Sequence, residues 1–332
     1  MYDSFIPQNK IAICFHKSCV DGLFSAIIII SCLQDIYSYF SDFYLVPLSP
    51  TEIIRRSKKI QTLENQKKII LDLPRFGSNT LYYFDHHITN QQTSPINEKS
   101  GLLDFSAAST CSVMKKFFSI TEESDLSKLV KIADVVDSAK FTDSPPGFGL
   151  ITLNTDDDII WACNDLIKDT RDDKELIELI ESFDIGNLQK WILQHKSHIQ
   201  NYRKRRQQTL DIKDNLVKAP IIIIKNEVMN LQAEGLHFSL AAEDKDYIML
   251  ILIDKINRSD KSKNKRYKVS FRLNPNLTET ETEKYRVDKI ASQLGGGGHK
   301  GAASTTINNG NQYKKIIEWV SNLSVKYAEN QI

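Results

Sequence analysis

Three apolar runs of this 332-residue chain end in side chains that could bind a metal ion. The first run ends in His16, the second in Asp72, and the third in the triplet Asp85-His86-His87. Carboxylates mixed with imidazoles suit a hard or borderline divalent cation such as Mn²⁺, and a cluster of several carboxylates suits phosphoryl chemistry. The run ends therefore predict a metal centre, provided that the fold brings them together.

The elements around these run ends predict an α/β domain. Strand-like runs alternate with helical stretches, the strands at 10–16, 43–48, 67–72 and 81–84 and the helices at 21–34, 107–119 and 124–136. This alternation is typical of a doubly wound, mainly parallel sheet, in which ligands bind outside the carboxyl ends of the strands. Two imidazoles and two carboxylates packed there without a cation would repel and desolvate one another, so their convergence argues for a metal.

The second half of the chain predicts a linker helix and a smaller α/β domain. Residues 186–217 have helical apolar spacing, and strands are expected at 220–224, 247–254 and 267–273, with helices at 285–294 and near 312–327. The predicted domains are a metal-binding catalytic domain at 1–185, the linker helix at 186–217 and a substrate-binding domain at 218–330. A basic run at 203–206 could meet phosphates in a groove, but a solvated helix face is the favoured interpretation.

Composition restricts the class of protein. The net charge is +1, from 43 basic and 42 acidic residues, which gives no sign of a protein that coats duplex nucleic acid. Five cysteines without C-x-x-C spacing indicate reduced thiols and a cytoplasmic location. The apolar stretch at 23–33 is too short to span a bilayer, so no membrane partner is expected.

The turn after the first run contains Asp21-Gly22 near the start of a helix. A carboxylate at that position can cap the helix or bind a metal ion, and the residues leave both roles open. The same turn contains Cys19.

The Asp-Gly turn, the aspartate at the end of the 67–72 run, the Asp85-His86-His87 triplet and a later Gly-Gly-Gly-Gly-His-Lys stretch resemble the DHH phosphoesterase superfamily with its DHH-associated C-terminal domain. The resemblance covers nearly the whole chain in the right order. That family includes RecJ-like exonucleases, nanoRNases and dinucleotide phosphodiesterases. It implies hydrolysis of phosphorus–oxygen bonds with two Mn²⁺ ions, for which Mg²⁺ or Co²⁺ could substitute.

The resemblance also implies roles for individual residues. His16 and Asp21 would be ligands from the first motif, Asp72 would bridge the two ions, and His86 would bind the second ion. His87 would face the substrate phosphate.

Asp85 would support the site from its edge. A further ligand is expected from 132–141, where Asp134 and Asp137 compete and Asp137 is narrowly favoured. Family members commonly have two carboxylates two residues apart in the first motif, whereas this chain has Cys19 in place of the first. Its thiolate could bind a metal ion, although a buried small thiol is the favoured interpretation.

The glycine run of the second domain would let backbone approach a ligand closely and offers successive N–H donors to a phosphate. It is not a P-loop, because no Gly-Lys-Ser/Thr follows at the required spacing. A guanidinium can bind a phosphate through two hydrogen bonds. The residues expected to contact substrate are Gly296, Gly297, Gly298, His299, Lys300 and Arg272.

The predicted function is a metal-dependent phosphodiesterase that hydrolyses short oligonucleotides or dinucleotides to mononucleotides. A nucleoside bisphosphate phosphatase and a single-strand exonuclease are alternatives among hydrolases. A nucleotide-binding protein with a degenerate metal site is the alternative of another class. The sequence allows a monomer or a homodimer.

Overall fold

The computed structural model describes residues 10–33, 43–87, 90, 101–141, 145–170, 172–226, 236–237, 240–241, 247–255, 266–308, 310–323 and 325–331. The chain forms two compact units. The first contains Met1–Lys140 and Ile151–Ile199, and the second contains Phe141–Leu150 and Gln200–Ile332.

The first unit is built on a five-stranded parallel sheet. Its strands are β1 (Ile11–His16), β2 (Phe43–Leu48), β3 (Lys68–Leu71), β4 (Thr80–Asp85) and β5 (Gly101–Leu103). The strand order is β2-β1-β3-β4-β5, and each pairing is parallel. This is a doubly wound order, which confirms the predicted fold class and places its topological switch point between β1 and β3.

The strands are apolar on both faces because helices cover the sheet. The first five residues of β1 and all four residues of β3 are buried, as expected for a parallel sheet covered on both sides. The helices of the first unit are α1 (Val20–Leu33), α2 (Pro50–Ile54), α3 (Lys58–Leu63), α4 (Thr110–Phe118), α5 (Asp125–Asp137), α6 (Asp156–Asp169), α7 (Asp173–Glu181) and α8 (Leu188–Gln194). The next helix, α9 (Lys196–Leu210), begins in the first unit, and most of its residues belong to the second. Helix α1 packs against β1, α4 and α5, so it is apolar around nearly its whole circumference.

The linker helix predicted over 186–217 is wrong as a single element. The segment contains two α-helices, α8 and α9, which are separated at His195. Trp191, Ile192, Ile199 and Tyr202 are all buried. Their spacing fits one continuous helix as well as two consecutive ones, so the apolar pattern alone does not reveal the break.

The basic run at 203–206 is only partly a solvated helix face, because Lys204 is exposed whereas two of the arginines are buried. Arg203 and Arg206 are only 2% and 1% exposed. The Nη2 of Arg206 donates a hydrogen bond of 2.6 Å to the carbonyl oxygen of Pro146, and its guanidinium lies 5.8 Å from the ring centroid of Tyr202. These arginines therefore contribute to the core of the second unit.

The second unit contains a six-stranded mixed sheet. Its strands are β6 (Ile221–Asn226), β7 (Met249–Lys255), β8 (Tyr267–Leu273), β9 (Gly297–Gly298), β10 (Ala302–Ile307) and β11 (Tyr327–Gln331). The order is β11-β6-β7-β8-β10-β9, with β11, β6 and β7 parallel and the remaining pairings antiparallel. Helices α10 (Glu279–Tyr285), α11 (Val287–Gln293) and α12 (Gly310–Asn322) complete the elements described for this unit.

One expectation for the second unit is wrong, and another lies outside the described residues. The final helix ends at Asn322 rather than near 327, and a strand, β11, follows it. The loop predicted over 257–266 lies outside the described residues except for Arg266. Within the described part of the chain, no helix combines the length and apolar composition needed to cross a bilayer.

Candidate metal centre

The predicted metal-binding side chains meet at the carboxyl ends of β1, β3 and β4. His16 is the last residue of β1, Asp72 directly follows β3, and His87 lies two residues beyond β4. The Nδ1 atom of His16 lies 3.0 Å from Oδ2 of Asp72, and the Nδ1 atom of His87 lies 3.3 Å from Oδ1 of the same carboxylate. The three strand ends therefore form one cluster at the switch point of the sheet.

Gly22 allows the turn after β1 to fold tightly. A Cβ atom at this position would lie 2.2 Å from the carbonyl oxygen of His16, a distance that real Cβ contacts do not reach. The close approach of α1 to the end of β1 therefore requires glycine here. This packing fixes Asp21, the preceding residue, inside the cluster.

Asp72 lies at the centre of the cluster in an unusual backbone conformation. Its φ of 54° is in the left-handed region, which aspartate tolerates better than most residues. The hydroxyl of Thr110 donates a hydrogen bond of 3.3 Å to its Oδ1. Burial raises the pKa of Asp72, but the hydrogen bond and charge of His16 and the charge of His87 outweigh that effect and hold the pKa below its usual value.

Asp21 is fully buried and caps a helix, although not the one on which it lies. Its two carboxylate oxygens accept hydrogen bonds from the backbone N–H groups of Thr110 at 2.7 Å and Cys111 at 2.9 Å, which open α4. Its Oδ2 also lies 3.8 Å from Nε2 of His86. Burial, followed by the charges of Asp72 and Asp137, raises the pKa of Asp21 to about 7.

Asp85 holds His87 in place. Its Oδ1 accepts hydrogen bonds from the backbone N–H groups of His86 and His87 and lies 2.9 Å from Nδ1 of His87. Its Oδ2 accepts from the hydroxyl of Tyr83 at 3.2 Å and from the side-chain amide of Asn90. Burial would lower the pKa of His87, but the hydrogen bond to Asp85 and the nearby carboxylates raise it to about 10.

His86 contacts Asp137 and a backbone carbonyl. Its Nδ1 lies 3.2 Å from the carbonyl oxygen of Ala107, and its Nε2 lies 3.1 Å from Oδ2 of Asp137. The carbonyl can only accept, so this contact assigns a proton to Nδ1 and directs Nε2 towards the carboxylates. Burial would lower the pKa of His86, but Asp137 and Asp21 raise it to about 9.

Asp134 and Asp137 have different surroundings. The carboxylate of Asp134 accepts hydrogen bonds from the hydroxyls of Ser109 and Ser112, at 2.5 and 2.8 Å, near the start of α4. Asp137, one turn further along α5, contacts His86 and lies 3.9 Å from the sulfur of Cys19. Asp137 thus belongs to the cluster, whereas Asp134 is hydrogen-bonded to the two serines.

The donor atoms fit a divalent metal ion. Potential ligand atoms lie within 4.8 Å of one another in three groups of the first unit: His16, Cys19 and Asp72; Asp21, Asp72 and His86; and Asp72, Asp85 and His87. Asp72 belongs to all three groups. Asp21, Asp72 and Asp137 lie close enough to perturb one another's charge, and a divalent cation would relieve that repulsion.

Several partners of the cluster were not expected from the sequence. Thr110 contacts Asp72, while Tyr83 and Asn90 contact Asp85. Tyr83 lies two residues before Asp85 on β4 and so shares its face of the strand, a spacing that could have revealed it. Thr110 approaches from the distant helix α4, and no local pattern points to it.

Two of the four glycines in the run of the second unit pack closely against β10. A Cβ atom at Gly296 would lie 2.2 Å from the carbonyl oxygen of Ser304, and one at Gly298 would lie 2.5 Å from that of Ala302. Gly298 also has a φ of 144°. Gly295 and Gly297 differ, because a Cβ atom at either position would have no described neighbour within 4 Å, although Gly295 has a φ of 76°.

The polar residues near this run already have intramolecular partners. The backbone of His299 forms a tight turn with Ala302, through hydrogen bonds of 2.8 and 3.2 Å. The ammonium of Lys300 forms ion pairs with Glu279 and Glu283. The Nη1 of Arg272 donates to the carbonyl oxygens of Phe271 at 2.8 Å and Ala303 at 3.4 Å.

Comparison with known proteins supports the class that the motifs indicate. Residues 239–325 match the DHHA1 domain family. A solved structure of the pGpG-specific phosphodiesterase PggH from Vibrio cholerae is similar over 95% of this chain and 99% of its own, with 16% identity and a TM-score of 0.51. RecJ from Thermus thermophilus, in complex with Mn²⁺, is similar over 98% of this chain and 54% of its own, with 12% identity and a TM-score of 0.53.

No curated protein sequence matches the chain. At these identities the solved structures establish the fold. The chain thus shares the fold of these two solved structures and contains a segment that matches the DHHA1 domain family, which confirms the resemblance drawn from its motifs.

Proposed function

We propose that this chain is a divalent-metal-dependent phosphodiesterase that hydrolyses short oligonucleotides or dinucleotides to mononucleotides. The observation that carries the proposal is the buried cluster of carboxylates and imidazoles around Asp72 at the switch point of the parallel sheet. Such clusters suit phosphoryl chemistry because metal ions can stabilise charge on phosphoryl oxygens and activate water.

Five residues would hold two ions. Asp72 belongs to each of the ligand groups of the first unit and so suits a bridging position. Mn²⁺ is the proposed ion, with Mg²⁺ or Co²⁺ as substitutes, and the Mn²⁺ complex of RecJ is consistent with this choice. The proposed ligands are His16, Asp21, Asp72, His86 and Asp137.

His87 would bind the phosphate rather than an ion. The Oδ1 atom of Asp85 contacts Nδ1 of His87 and accepts hydrogen bonds from the backbone N–H groups of His86 and His87. These contacts fix the orientation of the His87 ring. Burial lowers the pKa of His87, but the hydrogen bond to Asp85 raises it and so favours a protonated ring. A positively charged imidazole in this position attracts an anionic phosphoryl group and stabilises the charge that develops on it.

The second unit would bind a part of the substrate remote from the reacting bond. Gly297 has open space beside it for a close approach of ligand to backbone. Arg272 and His299 are the proposed polar contacts, together with Gly296, Gly298 and Lys300 of the same turn. Lys300 would have to exchange its ion pairs with Glu279 and Glu283 for a contact with substrate, so its contribution would be smaller than that of Arg272.

A short substrate is favoured over a long strand. The chain has a net charge of only +1, which does not indicate an extended basic surface that follows a phosphate backbone. The similar protein from Vibrio cholerae is described as specific for pGpG, a dinucleotide. Both points support dinucleotides and oligonucleotides of a few residues as the substrate class.

The test is turnover of an end-labelled series from dinucleotide to long single strand, with Mn²⁺ and with EDTA, for the wild-type protein and Asp72→Asn. We expect mononucleotide release that is fastest for the shortest members, requires Mn²⁺ and is abolished in the variant. Thermal unfolding of Asp72→Asn should remain cooperative, because asparagine keeps the shape of the side chain and tolerates the same backbone conformation.

Other outcomes would replace the proposal with a specific alternative. Faster processing of long strands would identify a single-strand exonuclease. Release of inorganic phosphate from a nucleoside bisphosphate, without cleavage of dinucleotides, would identify a phosphatase. Tight nucleotide binding without turnover in any metal would identify a binding protein with a degenerate metal site.

A further inference from the structure

Cys19 differs from the other cysteines of the chain in its surroundings. Cys14, Cys111 and Cys163 are buried in the core, and Cys32 lies half-buried in the last turn of α1. Of the five cysteines, all of which the structure describes, Cys19 alone contributes to a group of clustered metal-ligand atoms.

The position of the Cys19 sulfur fits a shared metal ion. The ligand atoms of His16, Cys19 and Asp72 all lie within 4.8 Å of one another. Two donors on opposite sides of one ion, each at about 2.3 Å, are about 4.6 Å apart, so a group of this size matches one ion. Asp137 also brings a carboxylate oxygen to 3.9 Å from the sulfur.

The neighbouring carboxylate has contacts that differ from those of the Cys19 sulfur. Asp21, two residues later, directs its two oxygens at the backbone N–H groups that open α4, and Oδ2 is its oxygen nearest to His86. Within the group that contains His16, the Asp72 carboxylate and the Cys19 sulfur are the two donors that can carry negative charge.

We propose that Cys19 binds, as a thiolate, the ion held by His16 and Asp72, and that its sulfur shifts the preference of this position from Mn²⁺ and Mg²⁺ towards Co²⁺, Zn²⁺ or Fe²⁺. Sulfur is a soft ligand that selects such ions, whereas carboxylates suit Mg²⁺ and Mn²⁺. Binding replaces the S–H bond with a sulfur–metal bond, and the proton passes to the buffer. The inference rests on the metal centre of the proposed function. It implies that the two ion positions differ, because only one of them has a sulfur ligand.

Spectroscopy of the Co²⁺-loaded protein tests the sulfur directly. Chelator-treated full-length protein is titrated with Co²⁺ while near-ultraviolet and visible absorption are recorded. We expect a thiolate-to-Co²⁺ charge-transfer band in the wild-type protein that saturates with one of two bound ions. The band should vanish in Cys19→Ser, although visible d–d absorption from bound Co²⁺ remains.

Cys32→Ser is the matched control, because Cys32 lies thirteen residues further along α1, a helical rise of about 20 Å. It should retain the charge-transfer band at full intensity. Visible Co²⁺ absorption without a charge-transfer band in the wild-type protein would overturn the proposal, as would a band that survives in Cys19→Ser. Thermal unfolding without metal should be similar for the three proteins.

Metal competition tests the selectivity. Since changes outside the ligand shell cost about 10–100-fold in metal affinity, Cys19→Asp should lower the preference for Co²⁺ over Mn²⁺ by at least about tenfold. An unchanged preference would overturn the proposal. A charge-transfer band without phosphodiester hydrolysis would support Cys19 as a ligand and reject the proposed function. Hydrolysis with two bound ions and no charge-transfer band would support the proposed function and reject Cys19 as a ligand.

Discussion

The two regions that the sequence marks for function differ in how they use their polar groups. Around Asp72, carboxylates and imidazoles converge from three strand ends and two helices, and they contact mainly one another. Around Gly297, the glycines fit against β10, Lys300 is paired with glutamates and Arg272 donates to backbone carbonyls. The first region thus brings together side chains that could bind an ion, whereas the described polar groups of the second region would have to exchange internal contacts for contacts with a substrate.

The largest effect that we predict separates the two aspartates of α5. Asp137→Asn should lower kcat/KM by about a thousandfold or more, since a weakened metal site loses several kcal/mol of transition-state stabilisation. Asp134→Asn removes a carboxylate three residues away that contacts Ser109 and Ser112, so it should mainly lower the melting temperature. Steady-state kinetics and thermal unfolding of both variants measure this; a reversed pattern would make Asp134 the ligand.

The next prediction concerns the packing that holds His16 at the cluster. Gly22→Ala places a methyl group 2.2 Å from the carbonyl oxygen of His16, so β1 and α1 must separate. A displacement of about 1 Å near reacting groups can cost about a hundredfold in rate. Kinetics and denaturant unfolding should show losses in both activity and stability.

Gly149→Ala is the control for that substitution, because a Cβ atom there would have no described neighbour within 4 Å. Its stability should stay within about 0.5 kcal/mol of the wild-type value. Normal activity in Gly22→Ala would show that the cluster around Asp72 tolerates movement of the end of β1. That result would weaken the contrast between this cluster and the region around Gly297.

A smaller and more selective effect is expected from Arg272→Ala. Loss of a charge-assisted contact costs about 1.5–3 kcal/mol, so kcat/KM for a dinucleotide should fall by one to two orders of magnitude. Hydrolysis of a small chromogenic phosphodiester should change little, because it lacks the remote part of the substrate. Lys268→Ala, which removes an exposed positive charge from the same strand, is the control. Equal losses on the two substrates would argue against a binding role for the second unit.

The smallest predicted change distinguishes two adjacent glycines. Gly298→Ala should reduce stability by about 1–3 kcal/mol, because its φ of 144° and the Ala302 carbonyl at 2.5 Å leave no room for a methyl group. Gly297→Ala should leave stability unchanged and raise KM for the dinucleotide. Urea unfolding and dinucleotide kinetics measure the two effects. An unchanged KM in Gly297→Ala would confine the glycine run to a structural role.

The sequence predicts the first sheet and its cluster well because both follow from short, strong patterns. Parallel strands buried on both faces read as apolar runs, and the residues that end those runs must lie at one edge of the sheet. The apolar runs alone therefore suffice to assign His16 and Asp72 to one crevice. Four strands, β5, β9, β10 and β11, are not predicted from the sequence. Strands β5 and β9 have only three and two residues, and the segments Ala-Ala-Ser-Thr-Thr-Ile and Tyr-Ala-Glu-Asn-Gln lack a continuous apolar run.

The unpredicted features depend on how distant elements pack. Asp134 and Asp137 lie near one another on α5, and only the position of α4 decides which of them meets serines and which meets His86. Likewise, Asp21 caps a helix almost ninety residues further along the chain. The burial of Arg206 depends on a hydrogen bond to Pro146, sixty residues earlier. The spacing of residues along the sequence does not predict contacts between such distant segments.

The left-handed backbone of Asp72 narrows the set of residues that could ever replace it. Glutamate would keep the charge, but its longer chain would not fit a fully buried position, and it lacks the tolerance of aspartate for this conformation. Asparagine and glycine fit the backbone but remove the charge. No single substitution of Asp72 therefore preserves both the shape and the negative charge of its side chain, so each one must change either the packing or the electrostatics at the centre of the cluster.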